Sequence, residues 1–312
     1  MRVAITGASG FIGGVLARTL AARGHEVFAY GRRPAGRLPA SIPNYRQWDL
    51  LAATPAVPEV DAVIHCAAKI GDWGRDEDYR SVNVEGTRKV IAVFANAPRF
   101  VHVSSASVYS TDQPGRHLSE DAPTGNGLLT AYARSKAEAE NVLLASGRKA
   151  VILRPHVVYG PGDPTLMPRL LAAPRFGWLA VPGNGRNHIS VTHVFNFAQA
   201  AERAVTGPVM AGVFNIADAQ TTAIDELLIT LLRKNGIEVR LLHVPANMAW
   251  ALAVASEWLW RLAGSTRAPR LTRYLVAQVA DAHTLDLTRA YAELGYAPRH
   301  NIHSGFDIGD FA

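Results

Sequence analysis

Tyr132 and Lys136 lie four residues apart, so a phenol and an ammonium group share one face of a helix predicted over 132–144. An isolated tyrosine has a pKa of about 10 and is a poor acid–base catalyst at neutral pH. A neighbouring cation favours the phenolate and moves the phenol towards the working range. The pair could therefore exchange a proton with a substrate, although the spacing alone is common in ordinary amphipathic helices.

A serine-rich run, Ser104-Ser105-Ala106-Ser107, comes at the end of a strand predicted over 100–104. Ligands of open α/β sheets bind at the carboxyl ends of parallel strands. A serine hydroxyl at this point can hydrogen-bond a carbonyl or alcohol oxygen and position it against the tyrosine. The run contains no suitable G-x-S-x-G turn, which argues against a nucleophilic serine.

A glycine-rich turn, Gly7-Ala8-Ser9-Gly10-Phe11-Ile12-Gly13, lies between the first predicted strand and the first predicted helix. Glycines there permit a tight turn and let backbone N–H groups approach a pyrophosphate at the helix N-terminus. The spacing is G-x-x-G-x-x-G rather than the standard G-x-G-x-x-G. Its position predicts a dinucleotide site; the alternative is a purely structural turn. The residues assigned to the cofactor are Gly7, Ser9, Gly10, Phe11, Ile12 and Gly13.

Arg32 and Arg33 follow the second predicted strand, where NAD sites carry an acid for the ribose 2′-hydroxyl. No acidic residue occurs between Val27 and Trp48. Arginine suits a 2′-phosphate because its planar fork donates two hydrogen bonds and stays charged. The pair favours NADP(H), with NAD(H) possible, and the alternative interpretation is a solvated basic loop.

Alternating elements must hold these groups in place. Apolar runs separated by helical segments predict a parallel sheet that is buried on both faces, as in a doubly wound α/β (Rossmann) fold. We predict an NADP-binding Rossmann domain over 1–155 and a smaller, interleaved substrate-binding region over 156–312, with about 187–217 returning to the first domain. Strands are predicted at 3–6, 27–30, 62–65, 100–104, 150–153 and 213–216, and helices at 12–23, 84–95, 132–144, 194–205, 223–234 and 248–262.

With these motifs in this order, the sequence resembles an extended short-chain dehydrogenase/reductase of the NAD-dependent epimerase/dehydratase family, in its 3β-hydroxysteroid dehydrogenase-like branch. The resemblance covers nearly the whole chain. It rests on the glycine turn, Asp49-Leu50, His65-Cys66-Ala67-Ala68, Asn83-Val84-Glu85-Gly86-Thr87, the serine run, Tyr132 with Lys136, Arg154-Pro155, Val158-Tyr159-Gly160-Pro161-Gly162 and Leu294-Gly295-Tyr296-Ala297-Pro298.

The resemblance implies roles for individual residues. Ser105 would be the catalytic serine, Tyr132 the acid/base and Lys136 the residue that tunes it, with Asn83 on the helix behind the site. Ser107 and His156 are weaker candidates for substrate contact. The further cofactor contacts that it implies are Asp49, Leu50, Ala67, Ala68, Lys69, Ser104, Tyr132, Lys136 and Pro155.

The residues near the serine narrow the reaction. Dehydratases of the family carry an Asp-Glu pair where Ala106 and Ser107 stand, which disfavours dehydration. The sequence favours an NADP(H)-dependent oxidoreductase that interconverts a ketone and a secondary alcohol on a small or hydrophobic substrate, whether steroid-like, alicyclic or a β-keto acid. A nucleotide-sugar 4-epimerase with tightly bound NAD remains the alternative, and a non-catalytic NADP-sensing protein is a third.

A tryptophan-rich segment over 247–264 has apolar residues around most of its predicted helix. Such a helix is buried almost all round or covers something apolar. Core or dimer packing, a lid on a hydrophobic substrate and a membrane-surface helix are the alternatives. Arg261, Arg267, Arg270 and Arg273 follow, with no acidic residue between Trp258 and Ala280.

The composition excludes several classes. The chain has 312 residues, a net charge of +6 and one cysteine, so a disulfide-stapled secreted scaffold is not expected. Neither a signal peptide nor a membrane span is evident, and we expect a cytoplasmic protein without membrane association. No nucleic-acid module or metal-ligand spacing is found, and the resemblance implies a homodimer.

Overall fold

The computed structural model of the protein describes residues 1–38, 42–111 and 115–304. The strands are β1 (Arg2–Thr6), β2 (Glu26–Gly31), β3 (Arg46–Gln47), β4 (Ala62–His65), β5 (Arg99–Val103), β6 (Val151–Pro155), β7 (Val158–Tyr159), β8 (Trp178–Pro182), β9 (His188–Ile189), β10 (Thr192–His193), β11 (Gly212–Ile216), β12 (Thr222–Ala223) and β13 (Arg240–Val244). The helices are α1 (Phe11–Ala22), α2 (Asp76–Arg80), α3 (Gly86–Val93), α4 (Ala131–Ala145), α5 (Leu166–Leu171), α6 (Val194–Thr206), α7 (Ile224–Lys234), α8 (Ala246–Leu262), α9 (Arg273–Ala280) and α10 (Thr288–Ala292).

Seven parallel strands form the central sheet in the order β11-β6-β5-β4-β1-β2-β3. Thr6 pairs with both Tyr30 and His65, and His65 pairs with His102, so the carboxyl ends of four strands are level. The chain order reverses between β1 and β4, which creates the crevice where open α/β sheets bind ligands. The predicted doubly wound parallel fold is confirmed.

Both faces of the sheet are buried because successive side chains of a strand point to opposite sides. On β1, Val3 and Ile5 pack into a core shared with Leu16 of α1 and Phe197 of α6. Ala4 lies in the opposite core, which includes residues of α3 and α4. Two helical layers therefore hold the sheet that positions the site.

A π-helical turn over Ser81–Glu85 connects α2 to α3 without a break in the helical path. Such turns occur often at functional sites because the wider turn displaces a side chain from its regular position. Here the turn places Asn83 in the protein interior, where it is 2% exposed.

The second half of the chain builds a smaller core around Tyr159, Leu170, Val181 and Leu231. It also returns to the sheet, because β11 pairs with β6 and α6 packs against α1. The sequence-based domain boundaries remain a prediction.

Of the two alternatives that the sequence pattern gives for helix α8, burial almost all round by this chain does not hold within the described residues, and covering something apolar stays open. Ala249, Ala253 and Glu257 are its buried residues, and a narrow stripe packs against Val276 of α9. The large apolar side chains point elsewhere because α9 covers one side of the helix. Within the described ranges, no helix is both long enough and apolar enough to cross a membrane.

Candidate active site

The glycine turn forms a cradle that larger residues would fill. Gly7 has a φ of +74°, and a Cβ atom on it would lie 2.6 Å from the amide nitrogen of Ala67. A Cβ on Gly13 would lie 2.4 Å from the carbonyl oxygen of Gly7. Only glycine fits both positions, since the turn, β4 and α1 meet here at backbone distance. This fits the close approach that a dinucleotide pyrophosphate requires.

Helix α1 begins directly after this turn with its first N–H groups directed towards the crevice side of the sheet. Among the described residues, no side chain caps Gly10 and no acid lies in the first turn. Unpaired N–H groups and the helix dipole make this end attractive to an anion. Phe11 and Ile12 are half-buried, and a Cβ on Gly31 would touch the Ser9 side chain.

Arg32 and Arg33 are exposed after β2, on the same side of the sheet as the glycine turn. Their backbone is fixed because Gln47 donates to the Arg32 carbonyl at 3.1 Å and Tyr45 Oη donates to the Arg33 carbonyl at 2.6 Å. Neither guanidinium is ion-paired within the part of the chain that the structure describes. The fixed backbone and available charge fit a phosphate.

The other predicted cofactor residues differ in whether their side chains already have partners within the protein. Asp49 turns the chain by accepting the Leu51 N–H at 3.0 Å, and Leu50 is buried against Gly86. The side chain of Lys69 pairs with Asp78 at 3.0 Å. Ser104 hydrogen-bonds Glu140, so its hydroxyl serves an internal network. Ala67 and Ala68 are half-buried after β4, and Pro155 is buried at the end of β6.

Asn83 joins three elements behind the site. Its Oδ1 accepts the Lys69 N–H at 2.7 Å, and its Nδ2 donates to the Lys69 carbonyl at 3.0 Å and to Ser135 Oγ at 2.8 Å. Ser135 in turn donates to the Tyr132 carbonyl at 2.8 Å. The buried amide thus fixes the loop after β4 relative to the first turn of α4.

A second series of buried hydrogen bonds fixes His65 as a neutral imidazole. Thr87 donates to the Asn83 carbonyl at 2.6 Å, so its oxygen accepts from His65 Nε2–H at 3.0 Å. His65 Nδ1 then accepts from the Thr6 hydroxyl at 2.7 Å. Burial, and next the charge of Lys136, lower the pKa of His65 to about 3. This histidine therefore carries no charge at physiological pH.

The structure brings Ser105 and Tyr132 together. Ser105 begins a short 3₁₀ turn after β5 and accepts the Ser107 N–H at 3.1 Å. Tyr132 lies in the first turn of α4, which Thr130 caps by accepting the Ala133 N–H at 3.1 Å. The Ser105 side chain lies near enough to the Tyr132 phenol to lower its pKa. A substrate oxygen that approaches this pair would meet two O–H groups.

The pKa of Tyr132 is raised, and burial of the phenol is the main cause. The nearby Ser105 partly offsets this rise, and Tyr79 adds to it. Lys136 is not among the causes of this shift, since its Nζ donates to the Val103 carbonyl at 2.6 Å and lies 3.3 Å from His102 Nε2. The role of Lys136 in tuning the phenol stays a prediction.

Lys136 is itself strongly perturbed. It is 2% exposed, and burial lowers its pKa to about 8, opposed by Glu140 and Cys66. Its position between β4 and β5 leaves it beneath the crevice. Burial also raises the pKa of Cys66 to about 12, so this thiol is not a nucleophile at neutral pH.

A cavity of about 730 Å³ lies beside the Ser105–Tyr132 pair. Ala106 and Ala133, which directly follow these two residues, form part of its wall. Ser107 also lines it, and its buried Oγ has no hydrogen-bond partner among the described residues. His156 lines it with both ring nitrogens engaged, by the Ser190 carbonyl at 2.6 Å and the Gln278 amide at 3.1 Å.

The far wall of the cavity comes from residues 246–283, which contain α8 and α9 and which we call the cap. The sequence leaves a lid on a hydrophobic substrate as one alternative for α8, and Trp250 of that helix lines the cavity. Burial raises the pKa of Tyr274, and the nearby Tyr132 adds to this rise, so the two phenols are close. No short motif marks the remaining positions. The wall residues missed from sequence are Arg116, Arg186, Tyr274 and Gln278.

The described residues hold no group of three or more His, Cys, Asp or Glu side chains that could bind a metal ion. Among the histidines near the cavity, burial lowers the pKa of His156 to about 4 and also lowers that of His283. The chemistry available at the site is therefore that of hydroxyl groups, a buried amine and a cofactor crevice.

Comparisons with known proteins agree with this geometry. Residues 3–217 match the model of the NAD-dependent epimerase/dehydratase family. The chain is 33% identical to a 2-alkyl-3-oxoalkanoate reductase of Stenotrophomonas maltophilia, over 98% of this chain and 97% of that protein. It is 26% identical to a decarboxylating sterol-4-alpha-carboxylate 3-dehydrogenase of Dictyostelium discoideum, over 98% of both chains.

The crystal structure of UDP-glucuronic acid 4-epimerase from Bacillus cereus in complex with NAD superposes with a TM-score of 0.72 and 22% identity, over 98% of this chain and 96% of that one. This likeness establishes the fold. The chain belongs to the NAD-dependent epimerase/dehydratase family, and it is an oxidoreductase of the extended short-chain dehydrogenase/reductase type.

Proposed function

We propose that this member of the family is an NADP(H)-dependent reductase of β-keto acids that carry hydrophobic substituents. The observation that carries the proposal is the proximity of Ser105 and Tyr132 beside a cavity with apolar and cationic walls. A ketone oxygen between these hydroxyls would be polarised and held in one orientation.

The proton comes from this chain. Tyr132 donates its phenolic proton to the substrate oxygen as that oxygen gains negative charge, and the Ser105 hydroxyl then hydrogen-bonds the phenolate. The bound nicotinamide supplies the hydride that the carbonyl carbon accepts. The ketone thus gains a hydride and a proton and becomes a secondary alcohol.

The raised pKa of Tyr132 supports the reducing direction. Burial keeps the phenol protonated at neutral pH, so the residue begins the reaction as an acid. An alkoxide is a much stronger base than a phenolate, so the transfer to the reduced oxygen is favourable. Oxidation of the alcohol would first require removal of this proton.

Arg32 and Arg33 support the choice of NADP(H). They are exposed at the end of β2, and within the described residues neither has a carboxylate partner. A ribose 2′-phosphate would satisfy their charge, whereas NAD would leave two arginines beside an uncharged hydroxyl.

Arg116 and Arg186 support an acidic substrate. Both line the cavity, both are exposed, and neither takes part in an ion pair among the described residues. The names of both relatives describe substrates in which the carbon next to the reacting carbon carries the carboxylate. A β-keto acid would present its carboxylate to these guanidinium groups while its ketone oxygen meets Tyr132.

Consumption of NADPH with a substrate panel tests the proposal. The panel contains a 2-alkyl-3-oxoalkanoate, its methyl ester, an alicyclic ketone and a UDP-hexose. We expect turnover with the keto acid, slower turnover with the ester, and a preference for NADPH over NADH. Interconversion of the UDP-hexose without net NADPH consumption, by protein that purifies with NAD, would instead establish the 4-epimerase alternative.

A further inference from the structure

Helix α8 leaves its largest apolar side chains in solvent. Trp258 is 60% exposed, Leu259 is 54% exposed and Leu262 is 67% exposed. A soluble monomer seldom displays a contiguous apolar patch of more than a few hundred Å². This helix displays several large apolar side chains along its length.

Most of the large exposed residues share one side of the helix. With 3.6 residues per turn, Ala249, Ala253 and Glu257 form the buried stripe, and Leu262 lies opposite its centre. The outward side carries no carboxylate. Its large exposed members are Met248, Leu252, Val254, Trp258, Leu259 and Leu262, whereas the exposed Trp250 and Trp260 lie nearer the buried stripe.

A basic segment follows the helix along the chain. Arg267 and Arg270 are exposed, and no carboxylate pairs with either within the described ranges. Arg261 lies with its guanidinium carbon 5.5 Å from the ring centroid of Trp73. By contrast, Arg273 is paired with the buried Glu257 at 2.9 Å. Two exposed cations without a carboxylate partner among the described residues therefore follow the apolar helix in the chain.

We propose that the outward face of α8, together with Arg267 and Arg270, docks on a bilayer that contains anionic lipids. Tryptophan and leucine side chains enter the boundary between headgroups and acyl chains, and arginines meet lipid phosphates. The helix lies along the surface, because its buried stripe stays packed on α9.

Charge complementarity favours a bilayer over a second copy of the chain. In a twofold interface each patch meets its own equivalent, so the two basic segments would share one interface with no carboxylate on either outward face. Lipid phosphates supply the missing negative charge. This inference departs from our expectation of no membrane association, because the sequence pattern predicts burial of the helix and the structure exposes it.

The location of the face adds a consequence for access. Trp250 belongs to α8 and also lines the cavity. Docking would place the cavity entrance next to the lipid, from which an apolar molecule could enter. The docking proposal itself does not depend on the identity of the substrate.

Flotation of the full chain with vesicles tests the proposal. Phosphatidylcholine vesicles are compared with vesicles that also contain phosphatidylglycerol. We expect binding to the anionic vesicles that weakens with salt. The double variant Arg267→Gln/Arg270→Gln should bind them about thirtyfold more weakly, and Trp258→Ser/Leu262→Ser at least about tenfold more weakly.

Leu144→Ser is the matched control, because Leu144 is 61% exposed on α4, away from this face. It should bind like the parent chain, and all variants should keep the parent's unfolding midpoint. Absence of vesicle binding by the parent chain would overturn the proposal, as would equal binding to both kinds of vesicle. So would a change of Trp258→Ser/Leu262→Ser from dimer to monomer with vesicle binding unaltered, since the face would then belong to a second copy.

Discussion

The sheet side of the site and the cavity wall treat polar groups differently. On the sheet side, Asn83, His65 and Lys136 are buried and bonded to partners from three strands or helices. Among the residues that line the cavity, Arg186 is exposed without an ion pair among the described residues, and Ser107 Oγ is buried without a hydrogen-bond partner there.

The difference separates chemistry from recognition. A side chain whose polar atoms are all bonded internally keeps one orientation, which preorganises a reacting group. A side chain without internal partners can instead satisfy them with a ligand. We therefore assign proton transfer to the sheet side and substrate choice to the cavity wall and cap.

The largest effect should come from Tyr132→Phe. Loss of the proton donor should lower kcat by about a thousandfold, within the range usual for general acid catalysis, and leave NADPH affinity unchanged. Stopped-flow measurement of NADPH oxidation and fluorescence titration of NADPH check the two quantities.

Tyr274→Phe is the control for that variant, because it removes the neighbouring phenol from the cap. We expect less than about a tenfold change in kcat, as for one ordinary hydrogen bond. A larger loss from Tyr274→Phe than from Tyr132→Phe would reverse the assignment of chemistry to the sheet side.

Lys136→Met should stabilise the protein while it reduces activity. The pKa of Lys136 falls from an ordinary 10.5 to about 8 on folding, so the unfolded chain holds this proton more tightly. Keeping the buried ammonium charged at neutral pH costs on the order of 3 kcal/mol.

The pH dependence of the free energy of unfolding tests this stabilisation by Lys136→Met. Wild-type stability recovers as the pH rises from about 8 towards 10.5, because the folded amine has already lost its proton there. The advantage of Lys136→Met in urea unfolding should therefore shrink over this interval. An advantage that grows with pH would contradict the assignment.

Arg32→Gln/Arg33→Gln should change cofactor choice. Loss of two charge-assisted hydrogen bonds to a 2′-phosphate should raise the KM for NADPH by about 10- to 100-fold. The KM for NADH is the internal control and should stay within about twofold, since NADH lacks the phosphate. Equal changes in the KM for NADPH and for NADH would contradict a 2′-phosphate site and support the interpretation of Arg32 and Arg33 as a solvated basic loop.

Arg186→Ala should give the smallest effect of this series. We expect about a fivefold rise in KM for a β-keto acid and little change in kcat, because an exposed guanidinium contributes binding energy of about 1 kcal/mol. The methyl ester should respond much less. Arg203→Ala, an exposed arginine of α6 outside the cavity wall, should affect neither substrate.

The sheet could be predicted because its pattern is local. The runs at 3–6, 62–65 and 213–216 correspond to β1, β4 and β11, since buried parallel strands are continuous apolar segments between helices. The π-helical turn at Asn83 was not predictable in this way, because a single turn over Ser81–Glu85 is too short to show a periodicity of its own.

The site was predictable where a motif carries it. Ser105 and Tyr132 were named from sequence, and the structure brings their hydroxyls together. Tyr274 and Gln278 were missed because α9 is held by distant contacts, such as the 3.1 Å contact of Gln278 with His156 and the 3.1 Å hydrogen bond of Thr272 to Asp72. No spacing in the sequence encodes such contacts.

Helix α8 shows a different limit of prediction from a sequence pattern. Its all-round apolar sequence predicts burial or an apolar cover, but it does not say whether the cover belongs to the same chain. Ala249 and Ala253 are small, so α9 approaches closely along a narrow stripe and leaves the larger side chains outside.

The buried Glu257 joins the two helices of the cap. It accepts the Arg273 N–H at 2.7 Å and Arg273 Nε at 2.9 Å, and Tyr274 is the next residue. A displacement of α8 therefore carries Tyr274 with it at the cavity wall. Suppose that a ligand favours one position of Tyr274 and thereby changes the affinity of α8 for its docking surface. By thermodynamic reciprocity, the docking surface then changes the affinity of the protein for that ligand by the same factor. Attachment of α8 to its docking surface and binding of a ligand in the cavity would then be coupled through one conformational equilibrium.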